Sequence, residues 1–247
     1  MKGVSFDGMH SYNVFGMILN SYEIGEAEPN YMTVSIPGAD GVLDYTEYFG
    51  DITYKNRDLK FEFTFMCSRM ELSSAYAVLQ AKLHGRKMKV ILDDDKNHYY
   101  SGRVSVGALL PDGQLGTVTI TASCDPYHYA LESKTSSVAG YTNPGQSVTG
   151  NIEDAFRAIF MTIHNNGTSP VSPMLYAENQ YYLYRVISRN ESGVKYDGLN
   201  NDELVGTGWQ DMIPDFVVEG GESSEFAFVR SEPGELKVQA KWLERGL

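Results

Sequence analysis

Between Leu59 and Cys67 the chain alternates without a break. Leu59, Phe61, Phe63, Phe65 and Cys67 fall on one side, and Lys60, Glu62, Thr64 and Met66 on the other. Successive side chains of an extended chain point to opposite faces, so this period predicts a half-buried strand. GTVTITASC repeats the pattern with Val118, Ile120, Ala122 and Cys124 in phase, and RKMKVIL and SGRVSV are shorter versions. One segment changes period. In SRMELSSAYAVLQAKLHG, Leu72, Tyr76, Leu79 and Leu83 recur at helical spacing. Ser68 and Glu71 supply the S-x-x-E of a capping box at its start, and Gly85 supplies a stop. One helix among many strands predicts a mainly β domain, sandwich-like or barrel-like, with the helix packed on its sheet.

From Leu131 the texture changes. LESKTSSVAGYTNPGQSVTGN, Leu131 to Asn151, is polar and has little periodicity, which reads as a linker or a loop-rich start to a second domain. Strands resume in RAIFMTIHN, YYLYRVIS, SEFAFVR and LKVQAKW. EDAFRAIFMTI reads either as a strand or as the start of a helix; its aromatic and β-branched content, running into the turn NNGTSP, favours the strand. Short strands separated by Gly, Asn and Pro turns predict a second β-sandwich. Two domains are therefore expected, 1–130 and 131–247.

Composition narrows the function classes. Twenty basic residues against 32 acidic ones give a net charge of −12, which argues against wrapping a nucleic acid, although an acidic wall would let a phosphate backbone slide past. No apolar run approaches the ~18 residues of a membrane span. MKGVSFDGMHSYNVFG lacks the apolar core of a signal peptide, so synthesis and folding in a cytosol are expected. Cys67 and Cys124 sit on apolar strand phases and read as buried free thiols.

The most conspicuous polar cluster is VILDDDKNHYYSGRV, with Asp93, Asp94 and Asp95 in a row ahead of His98. Consecutive carboxylates on an extended chain cannot converge on one ion, and strands flank them, so they read as a turn. His10, His84, His98, His128 and His164 show no HxxxH or HExxH spacing. Neither a G-x-S-x-G elbow nor a phosphate-binding glycine loop is present. Asn166-Gly167-Thr168 and Asn190-Glu191-Ser192 match the glycosylation pattern but read as turns. Trp209, Trp242 and the tyrosines suit either a sugar platform or core packing. No catalytic, cofactor-binding or metal-binding residue is expected, nor any cofactor.

The order of several segments resembles the distal tail protein family of phages with long non-contractile tails, and of prophages in Gram-positive bacteria. FDGMHSYNVFGM resembles the family's opening F-N-G, gap, F-G, with Asp7 in place of the usual Asn. YKNRDLKFEFTF resembles its Arg-bearing strand, KLHGRKMKVILDDD followed by YYSGRV its helix–strand–hairpin unit, SCDPYHY the close of its first domain, and IHNNGTSPVSPML the turn that opens its second. The resemblance covers most of the first 130 residues and is patchier beyond. It implies a homo-hexameric ring built by residues 1–130 at the virion tail tip, with galectin-like sandwiches from 131–247 projecting outward. The ring would serve as a baseplate hub joining the tail tube protein to the tail-tip (tail-associated lysin) protein, hold a receptor-binding protein, and let DNA pass its lumen without specific binding. The rival readings are a carbohydrate-binding adhesin and a cell-wall hydrolase.

Overall fold

A computed structural model describes residues 2–38, 40–48, 52–112, 115–143, 157–190, 193–198 and 216–247, without the side chains of 112, 187–190 and 193–198. The chain divides into two compact units, Met1–Leu131 with Leu247, and Glu132–Gly246.

In the first unit β1 (Val4–Phe6), β2 (Met9–His10), α1 (Ser11–Phe15) and β3 (Met17–Ile24) precede a short ribbon, β4 (Thr33–Val34) with β5 (Leu43–Asp44). β6 (Arg57–Phe65), α2 (Leu72–Leu83), β7 (Lys87–Leu92), β8 (Asp95–Asp112) and β9 (Leu115–Ala130) follow. The main sheet runs β2-β1-β7-β8-β9-β6-β3, antiparallel throughout. Its buried face carries the residues that the alternation selects: Leu59, Phe61, Phe63 and Phe65 from β6, and Val118, Ile120, Ala122 and Cys124 from β9. Leu72, Leu79 and Leu83 of α2 close this core.

The capping box forms by half. The Glu71 carboxylate accepts from both the Ser68 hydroxyl, 2.8 Å, and the Ser68 N–H, 3.3 Å, and α2 starts only after it. A second helix, α1, is the departure from the single-helix expectation. It is five residues long, and the His10 imidazole caps it, with Nδ1 accepting from Tyr12 N–H at 3.2 Å. Before it, Asp7 and Gly8 both have positive φ, 47° and 80°, and form the two-residue loop between Phe6 and Met9. Positive φ at both positions is the requirement of a type I′ hairpin, which Asn-Gly and Asp-Gly meet best. The Asp7 carboxylate also accepts from Lys89 N–H at 2.8 Å, tying the hairpin to β7.

The second unit is a two-sheet sandwich. β10 (Lys134–Thr142), β16 (Gly234–Trp242) and β12 (Met174–Ala177) form one sheet. β11 (Ile159–His164), β15 (Ser223–Arg230), β13 (Tyr181–Asn190) and β14 (Gly193–Gly198) form the other, in that order. Ile159, Met161, Ile163, Leu175, Leu183, Phe226, Phe228, Val238 and Trp242 make one apolar core. Asn165, fully buried, locks the NNGTSP turn: its amide donates to the carbonyls of Ser169, Val218 and Glu219 at 2.9–3.1 Å, and its Oδ1 accepts from Gly167 N–H at 3.0 Å. Part of the expected linker is strand. Residues Lys134–Thr142 pair along their length with β16, as an edge strand that is mostly exposed. The positions that turn inward are Ser136, Val138, Gly140 and Thr142, of which only Val138 is a sizeable apolar residue, so no hydrophobic period marks it.

The two thiols differ. β6 ends at Phe65, so Cys67 leaves the strand phase and lies half-buried beside Val14, Phe15, Glu71, Ser74, Ala75 and Val78 in a shallow groove. Cys124 is fully buried, and burial first, then the nearby charges of Asp125 and Asp58, push its thiol up to about 12. Thiolate is the reactive form. A neutral-pH maleimide should therefore label Cys67 in the native protein and Cys124 only after denaturation; rapid native labelling of Cys124 would contradict the β6–β9 packing.

Candidate functional site

The three consecutive aspartates close the β7–β8 hairpin, Leu92 pairing with Asp95, and each carboxylate has its own partner. Asp93 accepts from His10 Nε2 at 3.0 Å, Asp94 from Lys2 at 2.8 Å and from the Tyr22 hydroxyl at 3.0 Å, and Asp95 lies 2.9 Å from His98 Nδ1. Burial opposes ionisation of Asp93, but the hydrogen bond from His10, with a Gly3 backbone bond and the charge of Lys96, outweighs it and holds the carboxyl below its usual range. Hydrogen bonds from Lys2 and Tyr22 lower Asp94 as well. The carboxylates diverge: Asp93 and Asp94 fasten β2, β3 and the segment before β1 to the hairpin, Asp95 bonds within it, and the three do not form a ligand set.

The histidines are likewise committed one by one. Nδ1 of His10 accepts backbone N–H groups, so Nε2 carries the proton that it donates to Asp93. His84 Nδ1 accepts from Val106 N–H at 3.1 Å, and His164 bonds the Ser223 hydroxyl. His98 and His128 touch edge to face. Among the described residues no three His, Cys, Asp or Glu side chains are grouped to hold a metal. Trp242 belongs to the sandwich core and is not a surface platform. Trp209 and Asn190-Glu191-Ser192 as a motif lie outside the described residues.

What the sequence reading missed is an apolar arm between β3 and β6. Its base is pinned by Gly25 N–H to the Asp58 carbonyl, 2.8 Å, by Asn30 N–H to Thr53, 2.8 Å, and by Lys55 N–H to Glu28, 2.8 Å. Beyond that base, among the described residues, β4 and β5 pair over two residues each and Tyr45 N–H bonds the Met32 carbonyl at 2.7 Å. Tyr31 and Tyr48 are 71% and 72% exposed, and Met32, Val34, Ile36, Val42 and Leu43 are exposed too. A two-stranded ribbon is marginal in water without a further partner, and a contiguous exposed apolar patch marks an interaction surface. A different apolar patch surrounds the groove beside α1 and α2, where Tyr12, Val14, Met66, Met70 and Val78 are exposed. The signal for the arm is apolar content without any period, in a stretch punctuated by Pro29, Pro37, Gly38 and Gly41.

The architecture is that of a mainly β chain whose described surface offers apolar contact area. No protein-family model and no curated protein matches it. Among solved structures it is similar to the Dit protein of phage SPP1, with a TM-score of 0.63 and 15% identity over 100% of both chains. That structure is described as a paradigm of the hub adsorption apparatus in phages infecting Gram-positive bacteria. The chain thus has the fold of a phage distal tail protein, as the resemblance of its segments implies.

Proposed function

We propose that this protein is a structural component of a phage tail tip, a distal tail protein that assembles as a hexameric ring. The first unit builds the ring, and the second projects from it as the dock for peripheral tail parts. The ring joins the tail tube protein to the tail-tip protein, and DNA crosses its lumen without specific contacts. The work is assembly and not catalysis, and its place is the virion.

The observation that carries this reading is the similarity to a phage hub protein over the whole of both chains, both units included. Two further features support it. The first unit carries two unlike apolar patches, the arm and the α1–α2 groove. Unlike patches associate head to tail, and such heterologous contacts close into rings when the rotation allows. The charge of −12 suits passage of a polyanion. Light scattering after size exclusion should give the mass of six protomers, and negative-stain images should show a ring with a central hole. A monomer at every concentration, alone and mixed with tail tube protein, would refute the proposal.

A further inference from the structure

The groove beside α1 and α2 and the arm between β3 and β6 match in charge as well as in apolar character. The α2 side of the groove is the stripe Glu71, Ser74, Ala75 and Val78. Lys82, four residues past Val78, continues that stripe at helical spacing and is exposed. Arg86 joins it at the end of the helix, where its Nη2 donates to the Ala81 carbonyl at 3.2 Å. Neither cation has a carboxylate within 4.0 Å among the described residues. From Ser68 to Arg86 the chain carries Arg69, Lys82 and Arg86 against Glu71 alone, and the Glu71 carboxylate is engaged by Ser68.

The arm has the opposite sign. Gly25 to Lys55 carries Glu26, Glu28, Asp40, Asp44, Glu47 and Asp51 against Lys55 alone. Lys55 is paired with Glu28 at 3.1 Å. Glu26, Asp40, Asp44 and Glu47 are exposed, with no basic group within 4.0 Å among the described residues. Asp44 follows Leu43 in β5, and Leu43 pairs with Val34 across the ribbon, both exposed. Copies of a chain with net charge −12 repel one another, so a contact between them needs surfaces whose local charges oppose. Arm against arm sets acid on acid, and groove against groove sets base on base. Only an arm on a groove puts apolar on apolar and carboxylates beside cations.

We propose that the arm of one protomer lies in the α1–α2 groove of the next, its ribbon over Val14, Phe15, Cys67 and Val78 and its carboxylates against Lys82 and Arg86. This rests on the ring reading and specifies which two surfaces make each junction.

Disulfide trapping in full-length chains tests it. Val34→Cys/Cys67→Ser is co-expressed with the wild-type chain, whose other cysteine, Cys124, is fully buried. A bond between the two chains then joins position 34 to Cys67. Leu43→Cys/Cys67→Ser is a second probe from the facing strand, because a disulfide needs its Cβ atoms within about 4.5 Å. Under mild oxidation at least one mixture should give a covalent dimer, while neither engineered chain nor the wild type gives one by itself. Lys82→Glu with Arg86→Glu in the partner chain should cut the yield several-fold, and Asp40→Lys with Glu47→Lys in the arm-bearing chain should restore it. A six-protomer mass with no trapped dimer in either mixture would overturn this contact and leave the ring. A dimer formed by an engineered chain alone, or a yield indifferent to the charge reversal, would also overturn it. A protomer mass at every concentration would remove the ring and this contact together.

Discussion

Adding one methyl group at Gly102 will destabilise the first unit more than any surface change. β8 runs between β7 and β9, with Gly102 opposite Met88 on one side and Cys124 on the other. A Cβ there would stand 2.4 Å from the Cys124 sulfur, 2.5 Å from the Ser123 carbonyl oxygen and 2.6 Å from the Cys124 Cα. Two of those atoms are backbone of a paired strand and cannot swing aside. Overpacking typically costs 1–3 kcal/mol and sometimes more. Because β9 itself must shift, Gly102→Ala should cost roughly 3 kcal/mol or more, a large part of the ~5–15 kcal/mol that holds a domain folded. The readout is the denaturant midpoint of the first unit's transition. Cys124→Ala in the same background removes only the sulfur clash, so it should restore part of the loss. A Gly102→Ala midpoint equal to that of the wild type would show that the two strands do not approach as closely as described.

That close approach also shows where sequence reading reaches its limit. The strands β6, β7 and β9 and the helix α2 are legible because each buries one face and wets the other, and periodicity records that difference. β10 is illegible because its inward positions, Ser136, Val138, Gly140 and Thr142, are mostly small or polar and leave no apolar alternation. α1 is too short for a period and is held by a histidine cap and by Gly16 in the left-handed region, φ 63°. Cys67 packs against the core as its apolar phase implies, but the strand stops two residues earlier and the thiol is only half-buried. The aspartates are recognisable as a turn from local chemistry alone. Their partners Lys2, His10 and Tyr22 lie more than seventy residues away; the β1–β7 register brings the first two close, and the curl of the sheet brings Tyr22, on the far edge strand β3, back to the same turn. The arm escaped notice for a related reason: apolar residues that bury nothing within their own chain leave no alternation to read.

Replacing Tyr31 and Tyr48 together with Ser will leave the fold intact and reduce the proposed ring to its protomer. Both side chains are more than two-thirds exposed on an arm whose own ribbon is only two residue pairs long. Changes at such positions usually alter stability by no more than about 0.5 kcal/mol. Assembly is another matter. Exposed tyrosines become anchors when an interface covers them, and truncating one such hot spot costs on the order of 2 kcal/mol. Two per contact amount to roughly 4 kcal/mol, or about a thousandfold in the affinity of each contact, at 1.4 kcal/mol per tenfold. A ring requires every one of its contacts to close, so the loss recurs at each junction between protomers. Sedimentation at a concentration where the wild type is fully assembled should therefore give the protomer mass for the double variant, with an unchanged melting temperature. A double variant that sediments with the wild-type mass would remove the arm from the interface and leave the groove beside α1 and α2 to account for assembly by itself.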